Sequence, residues 1–521
     1  MNRRVNAWLT LLLTLCIARV WLMPLPSSLW VDELVTFFVV RHPGDPSFAV
    51  APQVPLSIYY WLPRASLAIF GDSEIALRLP SILAMAAALY FIARLAAKLI
   101  HPAAAWFAVF AALAFRNFDY FAVDARPYGL GIAVASASVL FLIRWFDEAR
   151  LRDAALFVLL AALLWRIHLF YWPFYLLYLG YAAAMCSKRP KIAHSEVVGQ
   201  DGRGTLGVQP IGNRPGRLQP VLPPRQFFYT LLAAAVLACA LAPVATSAID
   251  IAREGEAHKF NELPTLRNLF YLAHGFPILV CLGAMWLLKR IFKWRDNQPA
   301  PAAAVALIAA WWLVCPLCLF LYSRITGNGV LIMRYCSLML PGIALAVTAI
   351  AARFLPPTNW KPFALCMGAL ALALTADWTH LWPAHEHDNW RDAAARERTV
   401  AVSTTPVLCP SPFIEAHPPI WTPNYPFPSF LYSHLQFYPL NGRLRLFPFR
   451  RSAESDTYLG HLLTTELLPA RKFVTYGSTW SVQALDRWFS ARPETASWHK
   501  QSSQFDNLSV VVYSAMATDR F

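Results

Sequence analysis

The sequence predicts an α-helical polytopic membrane protein with about eleven transmembrane helices, followed by a C-terminal extracytoplasmic α/β domain. Of its 521 residues 57% are hydrophobic and only 14% are charged, whereas soluble domains carry about 25% charged residues. Eleven apolar runs approach the roughly 20 residues that a helix needs to cross a bilayer. After residue 380 charged residues and strand-like alternation return, which indicates a folded domain outside the membrane.

The predicted spans are runs of mostly apolar residues bounded by polar or proline-containing segments. The first is expected to be an anchor and not a cleaved signal peptide, because no small-residue cleavage site follows it. The runs cover 7–24, 75–99, 103–118, 128–146, 154–167, 170–186, 227–249, 268–288, 302–322, 335–354 and 362–379.

The distribution of Lys and Arg predicts the orientation. These residues are more numerous in the loops that lie inside when the N-terminus is cytoplasmic, and positive loops stay in the cytoplasm. An odd number of spans then places the C-terminus in the extracytoplasmic space. The same bias accounts for the net charge of +15, so the charge is no argument for nucleic acid as a partner.

The spans and the change in composition predict two domains. A transmembrane domain covers 1–380 and contains a long outer loop, 25–74, and a cytoplasmic linker, 187–226, rich in Gly, Pro and Arg. The outer loop is too long and too apolar for a plain connector, so it is expected to carry amphipathic helices along the membrane interface. The extracytoplasmic α/β domain covers 381–521. Its expected strands are 400–404, 443–447, 472–476 and 509–513, and its expected helices are 388–399 and 481–491.

Asp32 and Glu33 open a predicted helix over 32–40, directly after the first span. Acidic residues favour helix N-termini, so one interpretation is capping alone. The other is a carboxylate held at the membrane surface beside a lipid-borne substrate, because ionisable groups at that depth are costly and mark functional sites. The local pattern leaves both interpretations open.

The turn between the third and fourth spans contains Asp124, Arg126 and Tyr128, with Pro127 suited to the first turn of the following helix. Asp124 and Arg126 could form a plain surface ion pair, which contributes little to stability. Alternatively Asp124 faces the same cavity as Asp32, and the planar guanidinium of Arg126 meets a phosphate.

Two further outer positions are candidates. Arg334 and Tyr335 precede the tenth span and could be an interfacial anchor or supply a second cation for an anionic leaving group. His168, between the fifth and sixth spans, could contact substrate or cap a helix.

The sequence contains one candidate metal-binding cluster and no nucleotide-binding loop. His385-Glu386-His387-Asp388 offers ligand types for a metal, but its spacing matches no known ligand set and no further ligand can be placed. No G-x-x-x-x-G-K-[ST] loop occurs, so ATP hydrolysis lacks a signal. A donor used outside the cytoplasm must therefore arrive already activated on a lipid.

Taken together, these clusters resemble the GT-C superfamily of integral-membrane glycosyltransferases, in the branch of the protein O-mannosyltransferases and the lipid A aminoarabinose transferase. The resemblance covers most of 28–145 and then isolated points. It rests on Trp30-Val31-Asp32-Glu33, Val54-Pro55-Leu56-Ser57-Ile58-Tyr59-Tyr60, Gly71-Asp72-Ser73-Glu74-Ile75-Ala76-Leu77-Arg78-Leu79-Pro80, Asp124-Ala125-Arg126-Pro127-Tyr128, Arg334-Tyr335 and Asn389-Trp390-Arg391-Asp392. Two positions depart from the pattern: Gln53-Val54-Pro55 stands where His-Pro-Pro is frequent, and Asp124 stands where Glu is common.

The resemblance implies sugar transfer from a polyprenyl-phosphate-linked donor to an acceptor glycan, lipid or protein, on the outer face of the bacterial plasma (inner) membrane. An in-line displacement with Asp32 as general base predicts inversion at the anomeric carbon. No cofactor is implied with certainty, and a divalent metal stays open. The implied catalytic residues are Asp32, Glu33 and Asp124, and the implied substrate-binding residues are Arg126, Tyr128, Arg334, Tyr335, His168, Tyr59, Tyr60 and Arg78.

Three other functions compete with this hypothesis. A polytopic transporter or lipid-linked-sugar flippase would suit the spans equally well, although no internal repeat is visible. A polysaccharide ligase with a diphosphate-linked donor would be expected to have a large outer loop between late spans. A non-catalytic relative acting as a scaffold is the third.

Overall fold

The chain consists of a bundle of apolar helices and a C-terminal domain built on a five-stranded sheet. The structure, a computed structural model, describes residues 2–52, 54–187, 223–254, 262–294 and 300–515. The predicted cytoplasmic linker 187–226 lies outside the described residues except at its two ends. The helices of the N-terminal part are Asn2–Ile17, Val31–Arg41, Trp61–Phe70, Glu74–Leu99, Ala105–Leu113, Arg116–Val123, Tyr128–Glu148, Leu151–Ile167, Phe174–Cys186, Pro224–Glu254, Leu266–Leu272, Gly275–Phe292, Ala302–Thr326, Leu340–Phe354 and Trp360–Thr375.

Within the described parts of the chain, eight helices are long and apolar enough to cross a membrane. Each coincides with one of the predicted apolar runs, so the prediction of an α-helical polytopic membrane protein is confirmed. The predicted number of eleven spans is not confirmed, because three runs form shorter helices. These are Ala105–Leu113, Leu151–Ile167 and Trp360–Thr375.

Close packing at one glycine brings the later loops against the centre of the bundle. A Cβ atom at Gly131 would lie 2.4 Å from the ring of Tyr171. Only glycine therefore lets this tyrosine reach the central helix Tyr128–Glu148. The Tyr171 hydroxyl lies 2.9 Å from Oγ of Ser337, which joins the loop before helix Phe174–Cys186 to the loop before helix Leu340–Phe354.

The loop 25–74 folds into two helices joined by short 3-10 turns. Val31–Arg41 matches the predicted helix 32–40 to within one residue at each end. Trp61–Phe70 keeps large apolar side chains exposed, as expected of an interfacial helix, with Ile69 73% exposed. Val31–Arg41 differs from that expectation. It is buried on both sides, because the C-terminal domain covers its outer face and Phe37 contacts Phe437 with ring centroids 4.7 Å apart.

The C-terminal domain contains a mixed sheet in the order β2-β1-β3-β5-β4. The strands are β1 Pro406–Pro410, β2 Arg443–Phe447, β3 Lys472–Ser478, β4 His499–Phe505 and β5 Leu508–Ser514. β1 is parallel to β2 and β3, while β5 is antiparallel to β3 and β4. The helices of this domain are Trp390–Val400, His434–Phe437, Ala453–Leu462, Leu468–Ala470, Thr479–Ser490 and Pro493–Ala496.

Three of the four predicted strands are confirmed as β2, β3 and β5, and both predicted helices are present. The prediction of a strand at 400–404 is wrong. The preceding helix runs to Val400, and a turn closed by the amide of Thr405 donating to the carbonyl of Val402 delays β1 until Pro406. β4 was not predicted, because its sequence HKQSSQF is polar on both faces and carries no apolar alternation.

The C-terminal domain and the loop 25–74 share one hydrophobic core. Polar contacts reinforce this junction. The Tyr438 hydroxyl accepts from the amide of Leu29 at 3.0 Å and donates to Oε1 of Glu74 at 2.9 Å. Arg391 forms an ion pair with the same Glu74 carboxylate at 2.5 Å.

Tyr438→Phe is expected to weaken this junction. The amide of the fully buried Leu29 would lose its partner, and an unsatisfied buried donor costs about 1–3 kcal/mol. We expect an apparent melting temperature a few degrees lower for the detergent-purified protein, followed by intrinsic fluorescence. Tyr458→Phe removes a hydroxyl elsewhere in the same domain and serves as the control; equal shifts in the two variants would contradict a specific role of Tyr438.

Candidate active site

The structure brings Asp32, Arg126 and Arg334 together from three distant segments at one end of the bundle. Oδ2 of Asp32 lies 2.8 Å from Nη1 of Arg334 and 4.0 Å from Nη2 of Arg126. Nη1 of Arg126 also donates to the backbone carbonyl of Asp32 at 3.1 Å. The Asp32 side chain keeps 22% of its surface exposed. The carboxylate is therefore held between two guanidinium groups while one side stays open.

Both arginines keep an unused donor. Nε of Arg126 and Nε of Arg334 are buried and have no hydrogen-bond partner among the described residues. Buried polar groups in folded proteins are nearly always bonded, so such donors need an explanation. Two guanidinium groups with free, buried N–H groups on either side of one carboxylate form an arrangement suited to an anionic ligand.

Glu33 and Arg78 form a fully buried ion pair next to this position. Nε of Arg78 donates to Oε1 of Glu33 at 2.7 Å and Nη2 donates to Oε2 at 2.5 Å. The other guanidinium hydrogens reach the carbonyls of Leu25, Ser27 and Ser28 at 2.8–3.0 Å. Arg78 thus has its bonds directed at the protein itself.

The second face of the Glu33 carboxylate is bonded to backbone. Oε1 accepts from the amide of Ala125 at 2.9 Å and Oε2 from the amide of Trp30 at 3.2 Å. Burial by itself raises the pKa of Glu33, but the charge and hydrogen bonds of Arg78 outweigh it and hold the pKa below its ordinary value of 4.5. Glu33 therefore both caps its helix and fixes the turn that carries Asp124 and Arg126.

Asp124 is buried beside Glu33 and is only partly bonded. Its Oδ1 accepts from Nε1 of Trp30 at 3.1 Å, whereas Oδ2 has no partner among the described residues. Nε2 of His385 lies 3.9 Å from Oδ1 and is likewise buried without a partner. Burial raises the pKa of Asp124, and the nearby His385 partly offsets that effect. Arg126 pairs with Asp32 and not with Asp124, so the plain pair considered from the sequence does not form.

The ligand atoms of Glu33, Asp124 and His385 lie within 4.8 Å of one another, which tests the divalent metal left open above. Both oxygens of Glu33 are committed to Arg78 and to backbone amides, so two ligands are left. Protein metal centres that act in catalysis supply about three. The residues do not fit a metal centre held by protein alone, and no step below uses one.

The predicted quartet at 385–388 does not gather around one point. Glu386 accepts from the Tyr120 hydroxyl at 2.8 Å, while Asp388 accepts from Nδ2 of Asn507 at 3.3 Å. In the described residues only His385 of this quartet belongs to a group with metal-ligand spacing. The side chains of the quartet bond to different partners, which agrees with the expectation that its spacing is not that of a ligand set.

His168 lies within an aromatic cluster beside the two arginines. Its ring centroid is 5.7 Å from that of Tyr128 and 5.2 Å from that of Tyr335, which stacks on Phe170 at 4.4 Å. Burial, together with the charges of Arg126 and Arg334, lowers the pKa of His168 to about 3. The imidazole is therefore neutral at physiological pH. Its Nδ1 accepts from the amide of Phe170 at 3.3 Å, so the proton is on Nε2.

Tyr59 and Tyr60 form a buried 3-10 turn, and Tyr60 lies near Arg126. Burial raises the pKa of Tyr60, and the neighbouring guanidinium of Arg126 works against this effect. The Tyr59 hydroxyl lies 3.5 Å from Oγ of Ser81. Tyr60 thus borders the guanidinium, whereas Tyr59 anchors the turn to helix Glu74–Leu99.

Sequence reasoning missed three contacts around Asp124. From the sequence, Trp30 stands out only as part of a motif and His385 only as a metal ligand, and Tyr120 has no predicted role. Tyr120 precedes Asp124 by four residues, one helical turn, and that spacing was the available signal. Nothing in the sequence places His385 on Tyr120, where the ring centroids are 4.4 Å apart.

The chain resembles known proteins in part of its sequence and in its fold. Residues 54–198 match the sequence model of a family described as dolichyl-phosphate-mannose-protein mannosyltransferase. That segment contains Arg78, the turn 124–128 and His168, but not Asp32. No curated protein matches the chain significantly in sequence.

Two crystal structures of ArnT from Cupriavidus metallidurans superpose on 97% of this chain and 98% of their own. One was determined with undecaprenyl phosphate bound and has a TM-score of 0.53; the other is the apo state, with a TM-score of 0.54. This chain has the ArnT fold. The sequence identity is 12%, so the likeness concerns the fold. The family match over 54–198 and the likeness in fold confirm the resemblance inferred from the sequence motifs, as a resemblance in sequence and in fold.

Arg78→Lys is expected to destabilise the whole protein. Lys keeps the charge but cannot make the two parallel bonds to Glu33 and also reach the three backbone carbonyls, and each buried acceptor left unsatisfied costs about 1–3 kcal/mol. Arg41→Lys is the matched control, because Arg41 pairs with Asp72 at an exposed position where such pairs contribute about 0–1 kcal/mol. Thermal unfolding in detergent should separate the two variants clearly, and a control that loses as much stability would contradict the role of the buried pair.

The pH dependence of the same unfolding tests Glu33 further. Because its folded pKa lies below the ordinary 4.5, its contribution is fully present above that value and is lost as the pH falls through the folded pKa.

Proposed function

We propose that the chain is an integral-membrane glycosyltransferase that moves a sugar from a polyprenyl-phosphate-linked donor to an acceptor on the extracytoplasmic face of the bacterial inner membrane. The family match over 54–198 and the ArnT fold support this proposal. The observation that carries it is the placement of Asp32 between Arg126 and Arg334, each with a buried and unused Nε.

The two arginines fit the phosphate of a lipid-linked sugar. A guanidinium binds phosphate oxygens through parallel N–H bonds, and both have donors to spare. Undecaprenyl phosphate is the ligand named for one of the similar ArnT structures. A donor anchored in the bilayer would bring its phosphate to this end of the bundle without a nucleotide-binding loop.

Donor binding and the exposure of the base are coupled in this mechanism. Without donor, Oδ2 of Asp32 takes the hydrogen bond that Arg334 would give to a phosphate oxygen. The donor phosphate competes for the same guanidinium, and the carboxylate oxygen that it displaces becomes free to accept a proton. We therefore assign Asp32 as the general base, which becomes available once the donor is in place.

The reaction is a single in-line displacement. The acceptor oxygen attacks the anomeric carbon, the carbon–oxygen bond to the phosphate breaks, and the hydroxyl proton passes to Asp32. A positioned carboxylate base contributes about 10²–10⁴-fold. Arg126 and Arg334 stabilise the charge that develops on the leaving polyprenyl phosphate. Attack opposite to the leaving group inverts the configuration at the anomeric carbon.

The remaining predicted site residues divide into two groups. Glu33 and Arg78 are positioning residues, because their bonds hold the segments that carry Asp32 and Asp124. Asp124 has a free buried oxygen and is assigned to orient the acceptor. The neutral His168 has an Nε2–H donor beside the arginines, and we assign it to the donor sugar or its phosphate. The substrate-facing aromatic residues are Tyr128, Tyr335 and Tyr60, with Tyr59 anchoring the turn.

Asp32→Asn tests the base. The variant keeps the size and most hydrogen bonds of the side chain but cannot accept the proton, so we expect sugar transfer to fall by about 10²-fold or more. Release of sugar from a synthetic polyprenyl-phosphate sugar in detergent is the measurement, with thermal stability as a check on folding. Asp72→Asn, an exposed acid of the same loop, is the control. A flippase would release no sugar in any variant, and near-normal turnover of Asp32→Asn would remove Asp32 as the base.

Arg334→Lys tests the leaving-group site. Charge-assisted hydrogen bonds contribute about 1.5–3 kcal/mol, so the apparent affinity for polyprenyl phosphate should fall by about 10- to 100-fold. Product inhibition by polyprenyl phosphate measures this affinity directly. Arg324→Lys lies near the end of helix Ala302–Thr326 and should be neutral. Unchanged inhibition in Arg334→Lys would place the phosphate elsewhere.

A further inference from the structure

A cleft of about 520 Å³ opens in the C-terminal domain, next to the helix that carries Asp32. Its lining combines the aromatic side chains of Trp480 and Phe449 with polar groups that include Asp388, Asp506 and Gln483. Nothing above assigns a role to this cleft. We propose that it binds the acceptor, and that the acceptor is an uncharged glycan. This inference rests on the proposed glycosyltransferase function.

The position of the cleft suits a substrate that must reach Asp32. Val31, the residue directly before Asp32 in the chain, is part of the lining. Asp388 is also part of the lining. It follows His385 by three residues, and three residues of extended chain span at most about 10 Å. His385 itself lies against Asp124. Two segments that line the cleft therefore also carry residues of the candidate active site.

The cleft also lies where the sheet architecture favours ligand binding. The parallel strands β1 and β3 end at Pro410 and Ser478, and Ser478 lines the cleft. Crevices outside the carboxyl ends of parallel strands are frequent ligand sites. The turn between β4 and β5 also contributes to the lining. It is bonded to the segment before Asp388 through the amide of Asn507, which donates to the carbonyl of His387 at 2.9 Å.

The lining chemistry matches a sugar. Trp480 keeps 43% of its surface exposed, and Phe449 holds its ring in place at a centroid distance of 4.7 Å. A fixed aromatic face binds the apolar C–H face of a sugar ring, while carboxylate and carboxamide groups pair with its hydroxyls. Trp390, which also lines the cleft, has a buried indole N–H without a partner among the described residues.

The charge of the cleft favours an uncharged acceptor over a phosphorylated one. The chain has a net charge of +15, yet no Lys or Arg is found among the described residues that line the cleft. Two acids, Asp388 and Asp506, face each other across a backbone bridge. A phosphate group would meet these carboxylates without a cation in the lining, since Arg450, whose guanidinium lies 5.8 Å from the ring centroid of Phe449, is not part of it. The guanidinium groups are concentrated instead at Asp32, where the donor phosphate is proposed to bind.

Binding of the full-length protein in lipid nanodiscs to an array of neutral glycans, phosphorylated glycans and peptides tests this inference. We expect retention on neutral glycans and at least a tenfold loss of retention in Trp480→Ala. Gln483→Ala is a second variant at an exposed position, which keeps the test valid if the first does not fold. Trp382→Ala, at a tryptophan that is 68% exposed outside the cleft, is the matched control.

The outcomes separate the cleft from the proposed function. Donor hydrolysis without acceptor should be unchanged in Trp480→Ala and lost in Asp32→Asn. Glycan retention should be lost in Trp480→Ala and unchanged in Asp32→Asn. Wild-type protein that binds neutral glycans but never releases sugar from the donor would refute the glycosyltransferase proposal, and with it the acceptor role of the cleft, and would leave a glycan-binding cleft. Retention on no neutral glycan, on phosphorylated glycans or peptides alone, or retention insensitive to both cleft variants would overturn the inference.

Discussion

The buried ion pair of Glu33 and Arg78 is the interaction on which the candidate site depends. Removing two such ions from water costs several kcal/mol each, and this is offset only when every remaining hydrogen-bonding group is satisfied. Here the guanidinium reaches both carboxylate oxygens and three backbone carbonyls, and the carboxylate also accepts two amides. The pair thereby joins the segment 25–41, which contains the helix that carries Asp32, to helix Glu74–Leu99 and to the turn that carries Asp124. Three segments remote in sequence are held in one geometry by one well-bonded pair.

The arginines of the site fall into two classes that follow from their bonding. Arg78 is fully buried and directs its hydrogen bonds at fixed protein groups, so a ligand could reach it only by breaking the fold. Arg126 and Arg334 each keep a buried N–H unused, and Arg334 is 40% exposed. A resemblance in sequence places all three in the same list of binding residues. Their hydrogen bonds distinguish an arginine that builds the site from two that have capacity for an anion.

The sequence predicted the features that depend on local composition. Apolar runs predicted the helices, because burial in lipid requires continuous hydrophobicity, and the order of short motifs predicted the fold. Pairings between distant residues could not be predicted in this way. The contact between Asp32 and Arg334 joins positions 302 residues apart, and neither residue carries a local mark of its partner. The polar strand β4 was missed for a related reason. It is an edge strand whose exposed side chains show no alternation, so only its pairing with β5 defines it.

Charge divides the region around Asp32 into two parts. On the side of the helix bundle, Arg126 and Arg334 create a positive environment that suits a phosphate leaving group. On the side of the C-terminal domain, the cleft contains Asp388 and Asp506 and no basic residue among those that line it. Asp32 lies where the two parts meet, because its carboxylate contacts the arginines while its neighbour Val31 borders the cleft. A transferase has to keep an anionic donor and a hydroxyl acceptor in separate, adjacent places, since an acceptor drawn into the phosphate site would block the donor. Opposite charges on either side of the base achieve that separation without any moving part.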